Sequence, residues 1–380
     1  MNVLDNREFP VTDSCRATWY PPGMQPIAYV ITSHGFGHAT RACAVMEAIR
    51  KRRPQVRFEI FTRVPEWLFE ASAPGAFRYH PTDTDVGLVQ ATPLRADLPR
   101  TREALERFLP FDPTQITELV QVVRKARCRA VLCDIAPLGV AVAREAHLPS
   151  VLIENFRWDW IYEGYPEIRE HAAYLREVFD AADLLVQTEP VCWRRRADLT
   201  SHPVSRPPRR NRTEVRRTLG IGSDVPLVMI TMGGIPGQFR FRDRLRRMTA
   251  VHFLIPGGAP EVESGGNITS LTAHADHYHP DLVAASDAVI GKVGYSTLAE
   301  VYHAGVPFGY IGRPAFRESA VLADFIAERM PGFAIAEEAY HRGEWIDALP
   351  ELLSFPRPDT PRPNGADEIA EFLDLGGLVL

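Results

Sequence analysis

Short apolar runs alternate with helical patterns along most of the chain, and this alternation limits what it can fold into more than any other feature. In the first half the apolar runs are "IAYVIT", "RFEIFT", "AVLCDI", "SVLIEN" and "LLVQT". Their length and continuous hydrophobicity are typical of parallel strands that are buried on both faces. The first half is therefore predicted to be a series of βαβ units on a parallel sheet.

A second series of the same kind follows a break. The stretch "SHPVSRPPRRNRT" at 201–213 is rich in proline and arginine and has no apolar periodicity, so it predicts a domain boundary. Beyond it, strands are predicted for "PLVMIT", "VHFLIP", "NITSL", "DAVIG" and "VPFGYIG", and helices near 238–247, 295–304 and 317–328.

Chain length also indicates two domains, because 380 residues exceed one ordinary core. We predict an α/β protein with doubly wound domains at 1–205 and 206–362 that face each other across a cleft. Within 363–380, "GADEIAEFLDLG" predicts a short amphipathic helix that packs on the first domain. Ligands of doubly wound folds bind at the carboxyl ends of the strands, so the site is expected in the cleft.

Composition and charge narrow the function classes. No apolar run reaches the roughly 18 residues that cross a bilayer, and the N-terminal sequence has no apolar signal-peptide core, which predicts a cytoplasmic protein without an integral membrane segment. A net charge of −5 gives no general attraction to nucleic acid, and the basic stretch 194–212 is expected to be a solvated linker. Five cysteines without CxxC spacing predict neither a disulfide framework nor a zinc site.

The sequence "ITSHGFGHATR" at 31–41 is a predicted strand-to-helix corner that carries two histidines. Glycines at such a corner allow a positive φ or the close approach of another group, and the free N–H groups of the helix start can bind an anion. His38 is the predicted catalytic base and His34 the second candidate, while the alternative is that one or both cap the loop structurally. Arg41 either binds an anion or lies on a solvated helix face.

Two other predicted strands of the first half end in polar or aromatic residues. Asp134 ends "AVLCD" and is expected to orient a histidine or to bind a ligand hydroxyl, and the alternative is an N-cap for the next helix. The segment "ENFRWDWIYEGY", which contains Asn155 and Trp158, offers aromatic faces to a ligand. The alternative for these rings is packing in the core or between the domains.

The second half contains two glycine-rich corners, "ITMGGIPGQF" and "VIGKVGYSTLAE". In the latter, a strand is predicted to end at Ile290, and Ser296 and Thr297 lie in the first turn of the next helix. Hydroxyls and free amides at a helix N-terminus suit a diphosphate, which the helix dipole also favours. Glu300, one turn further on, is placed to accept hydrogen bonds from ribose hydroxyls.

These motifs resemble the nucleotide-sugar half of GT-B glycosyltransferases, particularly the group containing the bacterial N-acetylglucosaminyltransferase that makes lipid intermediate II. "SHGFGHATR", "VLCDIAPLGVAVAREAHLPSVLIENFRWDWIYEGY" and "GKVGYSTLAEVYHAGVPFGYI" are together more similar to the glycosyltransferase-like N-terminal domain of plant L-arabinokinases. The resemblance spans most of residues 27–330. The sugar-kinase half of those proteins has no counterpart in this sequence, so kinase activity is not implied.

The resemblance implies a GT-B architecture of two Rossmann-like domains and an enzyme that moves a hexosyl or N-acetylhexosaminyl group. A nucleotide-diphosphate sugar is the implied donor, and the acceptor is a hydroxyl of a small or lipid-linked molecule. Inverting, metal-independent transfer with no cofactor is expected, because amides can stabilise the leaving diphosphate while a base deprotonates the acceptor. The alternatives are a nucleotide-sugar epimerase or hydrolase and a silent nucleotide-sugar-binding module. None of the patterns indicates an oligomeric state.

Site residues follow from the resemblance by position. Catalytic roles fall to His38, His34 and Asp134. Donor binding is implied for Gly233, Gly234, His279, Lys292, Gly294, Tyr295, Ser296, Thr297, Glu300, Arg313 and Glu318. The acceptor side is implied for Gly35, Phe36, Gly37, Arg41, Asn155 and Trp158.

Two stretches have the composition of a metal site. "TDTD" at 82–85 contains the Asp-x-Asp that metal-dependent glycosyltransferases of another fold use, but it falls in the acceptor-side domain. "HADHYHPD" at 274–281 collects three histidines and two aspartates, a set that can bind a transition metal. It precedes a helix where GT-B proteins pass the nucleobase, so Tyr278 or His279 is expected to contact a base, and no metal is expected.

Overall fold

The computed structural model describes residues 26–73, 75–92, 95–232, 240–259, 261–272, 277–358 and 361–378. The strands of the first half are β1 (Ile27–Ile31), β2 (Phe58–Thr62), β3 (Phe77–Pro81), β4 (Gln90–Thr92), β5 (Arg95–Ala96), β6 (Val131–Asp134), β7 (Ser150–Glu154), β8 (Leu184–Thr188) and β9 (Leu199–Ser201). Its helices are α1 (Phe36–Arg52), α2 (Glu66–Ser72), α3 (Leu98–Phe108), α4 (Pro113–Ala126), α5 (Pro137–Ala146), α6 (Trp158–Glu163) and α7 (Ala172–Asp180), with a 3₁₀ turn at Arg169–His171.

The second half repeats the pattern of alternating strands and helices. Its strands are β10 (Leu227–Thr231), β11 (His252–Ile255), β12 (Glu263–Gly265), β13 (Ile268–Ser270), β14 (Ala288–Lys292), β15 (Phe308–Ile311) and β16 (Gly332–Ile335). Its helices are α8 (Arg212–Thr218), α9 (Arg242–Arg247), α10 (His279–Ala285), α11 (Tyr295–Ala304), α12 (Arg317–Arg329), α13 (Glu337–Arg342), α14 (Leu349–Ser354) and α15 (Gly365–Leu375), with a 3₁₀ turn at Glu344–Ile346.

Each half contains one seven-stranded sheet, which confirms the predicted α/β class with two doubly wound sheets. The strand order is β3-β2-β1-β6-β7-β8-β9 in the first sheet and β12-β13-β11-β10-β14-β15-β16 in the second. The strand pairs are parallel except for the β12–β13 pair, and β4 and β5 form a separate antiparallel pair. The order in which strands are added to the sheet reverses between β1 and β6 in the first sheet and between β10 and β14 in the second. Binding crevices are expected at the carboxyl ends of these two strand pairs.

The two halves are connected by two chain segments that lie side by side. One runs from β9 to α8, and the other leads from α14 to α15, which packs against α1 and β9 of the first half. Asn364 and Ser205 exchange hydrogen bonds between these segments, and the Gly365 N–H donates to the Pro203 carbonyl. A Cβ at Gly365 would lie 2.0 Å from the His202 carbonyl oxygen, so this contact requires a glycine.

The structure corrects two details of the sequence prediction. β14 does not end at Ile290 but continues to Lys292, and Gly291 pairs with Tyr310 inside the sheet. A Cβ at Gly291 would lie 2.6 Å from the Thr231 carbonyl oxygen, so this glycine serves strand packing and not a turn. The connector is not a solvated linker, because Arg206 is 7% exposed and bound to other side chains.

Candidate active site

The starts of α1 and α11 meet between the two sheets. The residue before α1, Gly35, has a φ of 77°, which favours glycine, and Gly294 precedes α11. Neither helix start has a hydrogen bond from a capping side chain among the described residues. A Cβ at Gly37 would lie 3.3 Å from Ser296 Oγ, so the glycine lets the two helix starts approach. Two sets of helix N-terminal amides therefore converge on one place, which favours a bound anion.

His38 lies in the first turn of α1 and contacts Asp134 at the end of β6. Its Nδ1 is 3.0 Å from Asp134 Oδ1, and the register pairs Asp134 with Ile31 at the end of β1. Nδ1 also lies 3.2 Å from Arg41 Nη2, which can only donate, whereas the carboxylate can only accept. The shorter contact with Asp134 favours the tautomer with the hydrogen on Nδ1, in which Nε2 keeps its lone pair. The helix that follows β6 begins at Pro137 after Ala136, so Asp134 orients the histidine and does not cap that helix.

Arg41 binds the carboxylate of Asp134. Its Nε and Nη2 donate to Oδ2 and Oδ1 of Asp134 at 2.8 and 2.6 Å, and both residues are buried. Burial alone would raise the pKa of Asp134, but the charge and hydrogen bonds of Arg41 outweigh it and lower that pKa. Of the two sequence alternatives for Arg41, the solvated helix face is wrong, because the side chain is buried, and the anion that it binds in this structure is the carboxylate of Asp134.

A polar chain continues from Arg41 to the second half. Arg41 Nη1 donates to Asn155 Oδ1 at 2.7 Å, and Asn155 Nδ2 donates to Glu318 Oε1 at 2.9 Å. Glu318 Oε2 lies 3.8 Å from Arg313 Nη2. Asn155, predicted for the acceptor side, and Glu318 and Arg313, predicted for the donor side, are thus in one network that joins the two sheets.

His34 has the environment of a neutral side chain. Burial, followed by the charges of His38, Arg313 and Lys292, lowers its pKa to about 3. Its ring is parallel to that of Phe316, with the centroids 5.9 Å apart, and Nδ1 accepts from the Leu88 N–H at 3.4 Å. A neutral imidazole that accepts at Nδ1 carries its hydrogen on Nε2, so His34 can donate a hydrogen bond but is poorly suited to remove a proton.

A cavity of about 540 Å³ lies against the two helix starts. Ser296 and Thr297 lie on its wall, and their hydroxyls have no hydrogen-bond partner within the described residues. The first half contributes Phe36, Gly37, Thr40, Trp67, Leu68, Ala71 and Ser72 to the lining, and the second half contributes Thr231, Pro256, Gly257, Thr272, His277, Tyr278, His279, Leu282 and Glu300.

Arg206 and Arg209 of the connector also line this cavity, although the sequence did not single them out. Arg206 donates to Glu300 Oε1 at 2.7 Å and to Ser72 Oγ at 2.7 Å. The guanidinium of Arg209 lies 4.0 Å from the ring centroid of Tyr278, and it donates to the Ala71 carbonyl. Both arginines lie in a proline-rich stretch without periodicity. Their place in the cavity wall is therefore evident from the three-dimensional structure and not from the sequence.

Glu300 is already bound on both oxygens. Oε1 accepts from Arg206, and Oε2 lies 2.6 Å from His279 Nδ1, which donates to it. Burial raises the pKa of Glu300, but Arg206 and His279 outweigh burial and lower it to about 2. A ribose hydroxyl that binds Glu300 would therefore enter an existing ion pair.

The ion pair of Glu300 predicts a pH dependence of stability. Its folded-state pKa of about 2 lies below the ordinary value of 4.5, so the ionised carboxylate stabilises the fold above about pH 4.5 and this contribution disappears as the pH falls toward 2. The free energy of unfolding, measured with urea, should therefore decrease more in wild type than in Glu300→Gln between about pH 5 and about pH 3. An equal loss in both proteins, with the exposed variant Glu351→Gln as control, would contradict this.

Trp158 and Tyr295 have surroundings that differ from those expected. Trp158 is fully buried and its Nε1 donates to Asp85 Oδ2 at 2.7 Å, so its ring offers no open face to a sugar acceptor. The Tyr295 ring packs 4.8 Å from the Arg41 guanidinium, and its hydroxyl accepts from the Val204 N–H. Gly233 and Gly234 lie outside the described residues.

The residues of the two stretches that have the composition of a metal site do not form such a site within the described residues. Asp83 is exposed and pairs with Arg63, whereas Asp85 contacts Trp158. Burial raises the pKa of Asp85 to about 6. Residues 273–276 of the histidine-rich stretch lie outside the described residues. No group of three or more His, Cys, Asp or Glu side chains suited to a metal ion occurs in the part of the chain that the structure describes.

Comparison with known proteins supports the fold assignment. L-arabinokinase of Arabidopsis thaliana is 28% identical over 337 residues, which cover 86% of this chain and 32% of the plant protein. The chain thus spans about a third of the length of that relative. No protein-family model matches.

Solved structures with the same architecture cover nearly the whole chain. A UDP-glucosyltransferase from Polygonum tinctorium superposes with a TM-score of 0.59 at 13% identity, covering 94% of this chain and 93% of that one. MurG of Acinetobacter baumannii gives 0.55 at 14%, covering 92% and 99%. UGT89C1 of Arabidopsis thaliana, in complex with UDP, gives 0.60 at 13%, covering 94% and 100%. The chain therefore has the GT-B glycosyltransferase fold. None of the described helices is long and apolar enough to cross a membrane.

Proposed function

We propose that this chain is a glycosyltransferase that moves a sugar from a nucleotide-diphosphate sugar to an acceptor hydroxyl, with inversion and without a metal ion. The observation that carries the proposal is His38 at the start of α1, close to the start of α11. Its Nδ1 contacts Asp134, and its Nε2 has no hydrogen-bond partner among the described residues. A base next to an anion site is the arrangement that sugar transfer from a diphosphate requires.

The cavity is the proposed site of the nucleotide. The unbonded hydroxyls of Ser296 and Thr297, together with the amides of the α11 start, suit the diphosphate. Glu300, one turn further along α11, and His279 of α10, which contacts it, suit the ribose. Tyr278 lies where the nucleobase would follow. The cavity volume of about 540 Å³ is within the range of small-molecule sites.

The transfer step uses His38 as the general base. Its Nε2 takes the proton of the acceptor hydroxyl while that oxygen forms a bond to the anomeric carbon. The bond from the anomeric carbon to the diphosphate oxygen breaks on the opposite face, so the configuration inverts. Amides of α1 and α11 stabilise the charge on the leaving diphosphate in place of a cation. The ionised Asp134 stabilises the histidinium that forms.

Nucleotide binding tests the donor part of this proposal. We expect one of UDP, GDP, dTDP, ADP and CDP to raise the thermal unfolding temperature of wild type, because the cavity binds the folded state only. The Thr297→Val and Ser296→Ala variants should lose most of that stabilisation, since each removes a hydroxyl from the diphosphate site.

Ser223→Ala, an exposed hydroxyl away from the cavity, is the matched control and should behave as wild type. If none of these nucleotides stabilises the protein, the proposal that the cavity binds the nucleotide is contradicted. Consumption of the nucleotide sugar without any acceptor would favour the epimerase or hydrolase alternative, and binding without turnover would favour the silent module.

A further inference from the structure

Two cationic residues lie together at the carboxyl edge of the second sheet. Lys292 is the last residue of β14 and pairs in register with Ile311 at the end of β15. Arg313 follows two residues later at the same edge. The chain has three lysines among its 43 lysine and arginine residues, and the other two, Lys51 and Lys125, are exposed.

These two cations have little negative charge around them. Within the described residues, Lys292 has no hydrogen bond or ion pair. Arg313 is 8% exposed, its nearest carboxylate is Glu318 at 3.8 Å, and its Nε is covered and without a partner. Glu318 is shared with Asn155, which donates to Oε1. One carboxylate thus faces two cations.

The pair lies outside the nucleotide cavity and close to the transfer end of the cleft. Neither cation belongs to the described lining of that cavity. The Arg313 guanidinium lies 4.3 Å from the ring centroid of Phe316, and the same ring is stacked on His34. His34 and His38 belong to one corner. The cations are therefore near the proposed catalytic base, and not near the end of the cavity where the nucleobase would bind.

The electrostatics of this edge favour the binding of an anion. Burial, followed by the charge of Arg313, lowers the pKa of Lys292 to about 8. Both cations also lower the pKa of His34. A bound anion would relieve this repulsion.

We propose that Lys292 and Arg313 bind a carboxylate that is carried by the transferred sugar or by its acceptor, so that one of the two substrates is acidic, as a uronic acid is. This inference rests on the proposed function. The planar guanidinium of Arg313 supplies two parallel donors that match a carboxylate, and Lys292 adds a point charge. With a neutral sugar, the carboxylate of Glu318 alone would face both cations in a site partly removed from water.

The three lysines allow a direct test. Reductive ¹³C-methylation of the full chain labels Lys51, Lys125 and Lys292 together with the N-terminal amine, and Lys292→Arg identifies the Lys292 signal in an NMR spectrum. Sodium D-glucuronate is expected to shift that signal and to raise its titration midpoint above about 8, because an anion favours the charged amine. D-glucose at the same concentration, with sodium chloride to match ionic strength, should leave it unchanged.

Variants and internal controls make the result specific. The Lys51 and Lys125 signals should not respond in any sample. Arg313→Gln should abolish the response of Lys292 to glucuronate, and Arg313→Lys should weaken it. The surface variant Arg246→Gln should keep the response. A response to glucuronate no larger than that to glucose would overturn the proposal.

Added inorganic pyrophosphate separates this site from the diphosphate site. If pyrophosphate shifts Lys292 and removes the effect of glucuronate, the cations serve the leaving diphosphate and the proposal is wrong. With the glucose conjugate of the stabilising nucleotide bound, loss of glucuronate binding puts the carboxylate on the transferred sugar, and retention puts it on the acceptor. Nucleotide stabilisation is measured separately, so failure of the donor site is not mistaken for failure of this inference.

Discussion

Replacement of His38 by alanine is expected to lower the rate of sugar transfer by about 10²- to 10⁴-fold, the usual contribution of a general base. Nucleotide binding should remain, because the His38 side chain is directed to Asp134 and not to Ser296 or Thr297. Asp134 keeps its two bonds to Arg41 in the variant, so the fold should also be retained. The measurement is turnover at saturating donor, with thermal stabilisation by the nucleotide recorded on the same preparation.

Two comparisons sharpen this experiment. His34→Gln should cost less than His38→Ala, because the Nδ1 of His34 is used by Leu88 and its pKa is about 3. His341→Ala, at an exposed histidine of α13, serves as the control and should leave turnover unchanged. Activity of His38→Ala within a few-fold of wild type would exclude His38 as the base and direct attention to Asp85.

Replacement of Asp134 by alanine is expected to reduce the free energy of unfolding by about 3–5 kcal/mol, because Arg41 would be left as a buried and unpaired charge. Both side chains are almost completely buried, so water cannot replace the lost carboxylate. Urea unfolding measures this loss. Asp134→Asn keeps one acceptor for Arg41 and should lose less, which keeps the comparison possible if the alanine variant does not fold.

A double variant identifies the cause of that loss. Arg41→Met combined with Asp134→Ala removes the stranded charge and should recover a substantial part of the stability. Activity should not return, since His38 would lack the carboxylate that fixes its tautomer. If the double variant is as unstable as the sum of the two single variants, the unpaired charge is not the source of the loss.

The sequence was sufficient for the architecture because that information is local. Continuous apolar runs and intervening helical patterns predicted both parallel sheets, and the glycines at the two corners predicted where helices begin. The strand ends of a parallel sheet share an edge, which is why His38 and Asp134, at the ends of β1 and β6, lie together. The start of α11, with Ser296, faces them from the second half.

The arginines show where sequence reasoning stops. Arg206 and Arg209 lie in a stretch whose composition is typical of a solvated linker, yet they hold Glu300 and the end of α2. In the sequence, Arg41 has the character of a surface residue. In the fold it is bound to Asp134, which is 93 positions away along the chain. The partner of a long charged side chain is set by tertiary contacts, and no local pattern encodes it. The packing of Trp158 is hidden from the sequence for the same reason, because aromatic density does not reveal that its ring is buried among His34, Phe156 and Tyr162.

The paired connectors determine how such a cleft can open. Two chain segments cross between the halves at one place and are joined by the bonds of Asn364 and Gly365. Because two bonded segments resist twisting more than a single segment would, we expect any opening of the cleft to be a rotation about this double crossing. The side of the cleft far from the crossing would then move most.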